Sequence, residues 1–543
     1  MTLKKISISY VVSYIDDKLE SIFSYFCSRY RLFTVLCFFL MVGLMIFSTP
    51  FTVDLAWDGR AYLLKGFEIT EGNWIPIHSH SIGWSIVLAF FLKVFAINSV
   101  FDGMLLSRIL SLLIMGSSIF LFSRLADKLN DKKSAAVAVL AFALSPQLMR
   151  VGGLGVTEPL FILLLLWTVY FLADSEIKRR NIVIATILAS LSYYIRPNGI
   201  WILGVIVLNL TFLLYKRKIG WLFLLLVPLL FFLVSFPHLF LRYESYGSAF
   251  HYGFNSMFFV DKDEYVQGAS NLAATPSAVD YIRTHDIGDY YHKFVYAGLF
   301  KLAKTFYDLL GGTWFLLFFL GTIKYLFVDR HFKFNAVFIA LLVFLTCLIV
   351  VFDNFGAPKH LYPLLPFIFI LSSKFLIDLL ETSSRNNILV LSFILLLLLQ
   401  APVLSIRRGI NIAPPEVRDE WAIWAADNLK GKIAIVDGHN LIDLIVINNR
   451  IGSKNLLDLS TGNPYMSTFE PRKYGDLEDA MQDFKKIGVS YLMLDREYIK
   501  RRRYLYEVYD SKWSRNFVLI RSFRSKPEDK WIIKDMDIFK IVY

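Results

Sequence analysis

DLAWDGRAY, Asp54 to Tyr62, stands directly behind the first long apolar run of the chain. Its two acids are four residues apart. They are either a polar collar that ends a membrane span or acids held at a membrane surface to do chemistry. Which reading applies depends first on whether the run before them crosses a bilayer.

Composition says that it does. The chain has 543 residues, 56% of them hydrophobic and only 19% charged, and a mean hydropathy of +0.52. Soluble domains are about 45–50% apolar and about 25% charged. Leu- and Phe-rich runs recur at 32–50, 104–123, 134–150, 157–173, 181–195, 199–215, 219–240, 310–328, 334–352, 361–380 and 387–405. Backbone in lipid must satisfy its own hydrogen bonds, so these runs are helices. The expected fold class is an α-helical polytopic membrane protein with about 11 transmembrane helices and outer juxtamembrane helices. A small α/β extracytoplasmic domain follows.

Basic loops orient the spans. The basic N-terminus, 1–31, carries Lys4, Lys5, Lys18, Arg29 and Arg31 and is placed in the cytoplasm. No cleavable signal is evident, so the first run reads as an uncleaved span. Alternation then puts RLADKLNDKK (124–133), DSEIKRRN (174–181), YKRKIG (215–220), KYLFVDRHFK (324–333) and ETSSRNN (381–387) on the same inner side. IGWSIVLAFFLKVFAI (82–97) is apolar but short and contains Lys93, and counting it as a span would reverse every later loop. It is expected to lie at the outer surface. The transmembrane domain is then 32–405, with outer loops 51–103 and 241–309, the second partly helical near 291–305. The whole chain's net charge of +12 is expected to sit in inner loops and need not mean a nucleic-acid partner. Cys27, Cys37 and Cys347 form no CxxC and read as small core residues.

Beyond 405 the composition changes. EVRDEWAIWAADNLKGK and DLEDAMQDFKKIG have helical periodicity. KIAIVDG, VSYLMLD, FVLIRSF and IFKIVY read as strands, so 406–543 is expected to be an outer α/β domain. No GxGxxG or P-loop is present.

This orientation sorts polar residues by side. The outer ends receive Asp54 and Asp58, then Thr157 and Glu158 in GLGVTEPLF, Arg196 in YYIRPNG, and Lys359, His360 and Tyr362 in GAPKHLYPLLP. Ionisable groups at membrane depth are costly, which makes them functional candidates. A carboxylate can take a proton from an acceptor hydroxyl, and fixed Arg and Lys can hold a phosphate leaving group. The set suits glycosyl transfer from a lipid-phosphate sugar.

The same stretches, in the same order, resemble the GT-C fold membrane glycosyltransferases, in particular the protein mannosyltransferase and aminoarabinose transferase superfamily (the glycosyltransferase family 39-like group). They are DLAWDGRAYLLKGFEITEGNW, SRILSLL, TEPLF, RPNG and KHLYPLLP, and the resemblance covers about 30–405. It implies a polyprenyl- or dolichyl-phosphate-linked sugar as donor and a hydroxyl-bearing acceptor. It also implies Asp58 as the catalytic carboxylate. Gly59 stands where a second acid is common, which leaves Asp54 or Glu158 as the partner. Arg196, Lys359, His360 and Tyr362 match basic and aromatic elements that would hold the donor phosphate. Arg60, His78 and His80 are candidate loop contacts. HSHSIGW replaces the Lys-Pro of some members, so a histidine takes that cation's place or the contact is absent. Metal use is left open: one carboxylate with fixed cations could suffice, while an acid pair could bind a divalent cation. The expected location is the plasma membrane, with the C-terminal domain outside.

Plainer readings stand beside these. TEP is an ordinary helix start, with Thr157 as cap and Pro159 in the first turn. Arg196 could snorkel, and Lys359 and His360 could anchor at the interface. A flippase of lipid-linked sugars or a non-catalytic membrane-anchored partner would use the same composition. A flippase, however, would bury its charges midway along spans of related halves, whereas here they collect at outer ends.

Overall fold

The computed structural model describes residues 25, 28–49, 57–76, 80–98, 100–174, 178–250, 278–328, 334–355, 358–382, 420–436, 456–458, 474, 476–496, 499, 503–524 and 535–543. The membrane part holds α1 (Tyr30–Ser48), α2 (Trp57–Thr70), α3 (Gly83–Val94), α4 (Val100–Leu129), α5 (Lys132–Ala143), α6 (Pro146–Gly152) and α7 (Glu158–Leu172). It continues with α8 (Arg179–Ile195), α9 (Gly199–Tyr215), α10 (Leu222–Tyr246) and α11 (Ala278–Thr284). The rod α12 (Ile287–Val328), α13 (Asn335–Phe355), a 3-10 segment Pro358–Leu364 and α14 (Leu365–Thr382) complete it.

Ten of the eleven expected spans coincide with these helices; 387–405 lies outside the described residues. By length and composition, five helices among the described residues can cross a membrane, or six if the pair α5 and α6, bent by 52°, counts as one. The shortfall has a physical cause. A helix of 15 residues such as α7 is about 22 Å long, less than the ~30 Å of hydrocarbon. In the expected orientation it stops short on the outer side, where Glu158 is buried.

One expectation holds and one needs correction. The stretch 291–305, expected as helix at the end of the second outer loop, is helical and runs on into the following span as the 42-residue rod α12. The rod breaks at Gly311 (φ 71°, ψ 159°), next to the expected span start at 310. Thr157 is helical (φ −76°, ψ −21°) and its side chain caps nothing, because its hydroxyl is turned toward Arg196 instead.

Ion pairs check the expected sidedness. Lys128 pairs with Asp174, Lys374 bridges Asp131 at 3.0 Å and Asp378 at 2.6 Å, and Lys324 reaches Asp378 at 2.8 Å. Each of these groups belongs to an end expected on the inner side. The ends expected outside meet in a separate cluster, described below.

The first loop is tied down over the other outer ends. α2 and α3 pack as a hairpin. Trp84 Nε1 and Ser107 Oγ donate to the Gly155 carbonyl at 3.1 and 3.2 Å, and Ser81 Oγ donates to the Tyr193 carbonyl at 3.0 Å. Arg242, fully buried, donates to the His80 carbonyl at 3.1 Å.

The C-terminal region holds α15 (Glu420–Asn428), β1 (Lys432–Val436), β2 (Leu456–Asp458), α16 (Leu477–Ile487), β3 (Val489–Asp495), β4 (Phe517–Phe523) and β5 (Met536–Ile541). Strand order is β2-β1-β3-β5-β4. β1 pairs in parallel with β2 and β3, and β5 is antiparallel to β3 and β4. α16 starts at the Asp476 cap and ends at Gly488 in the left-handed region. One apolar cluster joins Tyr62, Trp84 and Leu88 to Trp421, Ile433 and Ile538, so the sheet is seated on the first-loop helices.

Asp537 locks that sheet. Its fully buried carboxylate accepts from Arg496 Nε (2.6 Å), Arg524 Nη2 (2.5 Å), Ser522 Oγ (2.7 Å) and the Tyr509 hydroxyl (2.8 Å). Burial opposes its charge, but these donors hold its carboxyl below the ordinary value. Asp537→Ala strands two arginines that keep partial water contact and should cost about 3 kcal/mol, the low end for a broken buried pair. The check is thermal melting of the full chain in detergent. The stabilisation from Asp537 is present above its unfolded pKa, about 4, and is lost as pH falls through the depressed folded value. The gap between wild type and Asp537→Ala should therefore close only in strong acid.

Candidate active site

Asp58 stands in the first turn of α2, where a carboxylate suits the helix dipole. Its Oδ2 accepts from Lys359 Nζ at 2.5 Å across 301 residues of sequence. His80 Nε2 lies 3.6 Å from its Oδ1. Burial would raise the Asp58 carboxyl, but the His80 ring and the Lys359 ammonium hold it well below the ordinary carboxylate range.

Glu158 and Arg196 make the second pair. Arg196 Nη1 lies 2.5 Å from Glu158 Oε1, with Glu158 almost wholly buried. Thr157 Oγ1 is 3.5 Å from both Arg196 Nη1 and Glu158 Oε2. The local sequence explains the reach of Arg196. Pro197 forbids helix at the preceding residue, and Arg196 is extended (φ −148°, ψ 145°). Gly199 then allows the chain to fold back, because a Cβ there would fall 2.2 Å from the Tyr193 nitrogen.

His360 lies among the charges of Arg196, Lys359 and Asp58. Both its ring nitrogens are buried and have no hydrogen-bond partner among the described residues. Tyr362 packs into the main apolar core. Asp54 and His78 lie outside the described residues, as does the Arg60 side chain. Asp58, His80, Glu158, Arg196, Lys359 and His360 thus come together from five separate stretches of chain.

Among the described residues, no second acid pairs with Asp58. Glu158 is taken by Arg196, and the partners of Asp58 are Lys359 and His80. Gly59 explains why no acid follows Asp58. A Cβ at Gly59 would lie 3.0 Å from the carbonyl oxygens of both Leu154 and Gly155. A carboxylate on that Cβ would also face two acceptors. At the site Asp58 and Glu158 are each paired with a cation, and among the described residues no group of three His, Cys, Asp or Glu gathers.

Tyr62 is the residue that sequence reasoning missed. It sits one turn after Asp58, almost fully buried, with its ring edge-on to His80 at 5.0 Å. Burial and the charge of Asp58 push its phenol well above the ordinary value, so it remains a neutral hydrogen-bond donor. The same groups, Asp58, Arg196, Glu158 and Thr157, surround it. The i, i+4 spacing in DGRAY was the available signal.

No protein-family model and no curated protein matches the chain. Solved structures do. The crystal structure of ArnT from Cupriavidus metallidurans bound to undecaprenyl phosphate aligns over 95% of this chain and 98% of that one, at 13% identity and TM-score 0.55. The oligosaccharyltransferase of Archaeoglobus fulgidus, tethered with an acceptor peptide containing the NVT sequon, aligns over 93% of this chain and 74% of its own, at 13% identity and TM-score 0.57. AglB from the same organism, in complex with an inhibitory peptide and a dolichol-phosphate, gives 14% identity and TM-score 0.53, over 88% of this chain and 70% of that one. The chain has the GT-C fold. In the GT-C fold seen here, the two ion pairs are built from the outer-end motifs that the sequence brought to notice.

Gly59→Glu tests the close approach. Overpacking against two fixed carbonyls typically costs about 1–3 kcal/mol and would push the start of α2, and Asp58 with it, away from Lys359. The expected result is a lower melting temperature for Gly59→Glu, with a smaller drop for Gly59→Ala.

Proposed function

We propose that this chain is a glycosyltransferase that moves a sugar from a polyprenyl-phosphate-linked donor to a hydroxyl acceptor at the outer face of the membrane. The observation that carries this reading is the convergence of Asp58 with Lys359 and His360, one acid beside two groups suited to a phosphate. The GT-C neighbours, solved with undecaprenyl phosphate and with dolichol-phosphate, support a lipid-phosphate donor.

Asp58 is the general base. It accepts the proton of the acceptor hydroxyl as that oxygen bonds to the anomeric carbon. The bond from that carbon to the phosphate oxygen breaks, and its electron pair stays on the phosphate. Lys359 neutralises the leaving phosphate, and the His360 ring nitrogens face the same space as hydrogen-bonding groups. Arg196 is held in place by Glu158 and adds positive potential. Tyr62 and His80 position Asp58. No step runs through a metal.

The N-terminus is proposed to be cytoplasmic and the 406–543 domain to lie outside the plasma membrane. Its seat on α2 and α3 puts it beside the site, as suits a domain that meets the acceptor. The sugar is a hexose or a pentose.

Transfer from a radiolabelled polyprenyl-phosphate sugar in membranes tests the assignment. Asp58→Asn should lower kcat by ~10²–10⁴, the usual worth of a general base, at unchanged expression. Full activity in that variant would refute the role. Tyr62→Phe should cost less, with most of its effect in kcat.

A further inference from the structure

The four strong charges of the cavity cancel in two pairs, Asp58 with Lys359 and Glu158 with Arg196. His80 is the other basic group beside Asp58. A donor phosphodiester adds one negative charge to a space with no uncommitted cation among these groups. Among the described groups a phosphate finds a cation by drawing on one of the two pairs, and the two are not equal.

The Glu158–Arg196 pair is sealed. The exposures of its side chains are 3% and 12%, and Thr157 lies against both. Parting it would strand a buried carboxylate, which is strongly unfavourable. Lys359 has 40% of its side chain exposed and Asp58 has 23%. Lys359 also has a long flexible stem, and it sits in a 3-10 segment before α14 rather than within a rigid helix. It is the cation that a phosphate can draw away at least cost.

Resting on the reading above, we propose that the Asp58–Lys359 pair is a donor-operated gate: the lipid phosphate takes Lys359 from Asp58 and thereby frees the carboxylate to act as base. Without donor, both Asp58 oxygens face basic groups and the carboxylate is a poor proton acceptor. With donor bound, the ammonium is on the phosphate, and Asp58 faces the acceptor beside a new negative charge that strengthens it as a base. The acceptor hydroxyl is therefore activated only when a sugar donor is present. Donor binding comes first, and water is not deprotonated in the empty site. No bond is made or broken in the handover; one hydrogen-bonded ion pair is exchanged for another.

The test uses the full-length protein in nanodiscs and undecaprenyl phosphate alone, which binds without reaction. Binding is measured for wild type, Asp58→Asn and Lys359→Met, with melting temperatures as folding controls. Asp58→Asn releases Lys359 in advance, so it should bind the lipid phosphate about tenfold more tightly although it does not transfer sugar. Lys359→Met should bind at least tenfold more weakly. A structure of the wild-type complex should show Nζ on the phosphate and away from Oδ2. If Lys359→Met binds weakly but Asp58→Asn binds like wild type, Lys359 holds the phosphate without a handover; the gate is overturned and the functional reading stands. If Asp58→Asn and Lys359→Met both bind more tightly, or Lys359→Met matches wild type, the effect is plain repulsion by Asp58 and the gate is again overturned. Failure of the wild-type protein to bind undecaprenyl phosphate or any polyprenyl-phosphate sugar would overturn the functional reading itself.

Discussion

A carboxylate removed from bulk water must find a cation or lose its charge, and this cavity is organised around that demand. Asp58 is held by Lys359 and approached by His80; Glu158 is held by Arg196. These contacts join the start of α2, the loop before α3, the first turn of α7, the end of α8 and the 3-10 segment before α14. Five outer ends, distant in sequence, share one place because their charges cannot be left alone there. The apolar packing of the spans brings the ends near each other, and the ion pairs choose the arrangement.

The backbone around those pairs is equally constrained. The Gly155 carbonyl receives hydrogen bonds from Trp84 and Ser107, and the same short turn presses on Gly59. The strip of chain before α7 therefore sets the height of Asp58 above the membrane part. A side chain at 59 would need that turn to move, and the turn also positions Thr157 and Glu158. The absent second acid thus follows from the geometry that fixes the first.

Much of this was legible in the sequence, for physical reasons. Hydrophobic runs announce spans because lipid demands them, and basic loops suggest sides; the ion pairs of Lys128, Lys324 and Lys374 join segments expected on one common side. Pro197 foretold the extended backbone at Arg196. The pairing of charges was not legible. Glu158 was a candidate partner for Asp58, yet it belongs to Arg196, because partner choice depends on distances of a few ångströms between helices far apart in sequence. Tyr362 is buried against the main apolar core, close in the chain to Lys359 and His360. Thr157 looked like a cap because caps are local and common, and only the fold shows that Arg196 takes its hydroxyl. The helix near 291–305 and the span start at 310 were both legible, and the structure marks the junction with the break at Gly311.

Tyr62 stands beside both ion pairs. With Asp58 and Lys359 close to Glu158 and Arg196, the four charges could regroup, since either cation can serve either acid. A neutral phenol surrounded by Asp58, Thr157, Glu158 and Arg196 adds no charge of its own. Burial and Asp58 keep it protonated, so it cannot become a third anion competing for Lys359. Its hydrogen-bond partner is Thr157, which also lies against Arg196 and Glu158. Tyr62 therefore fills the space beside both pairs without adding a charge, so the division into a sealed pair and a more exposed one is left to the four charges and their burial.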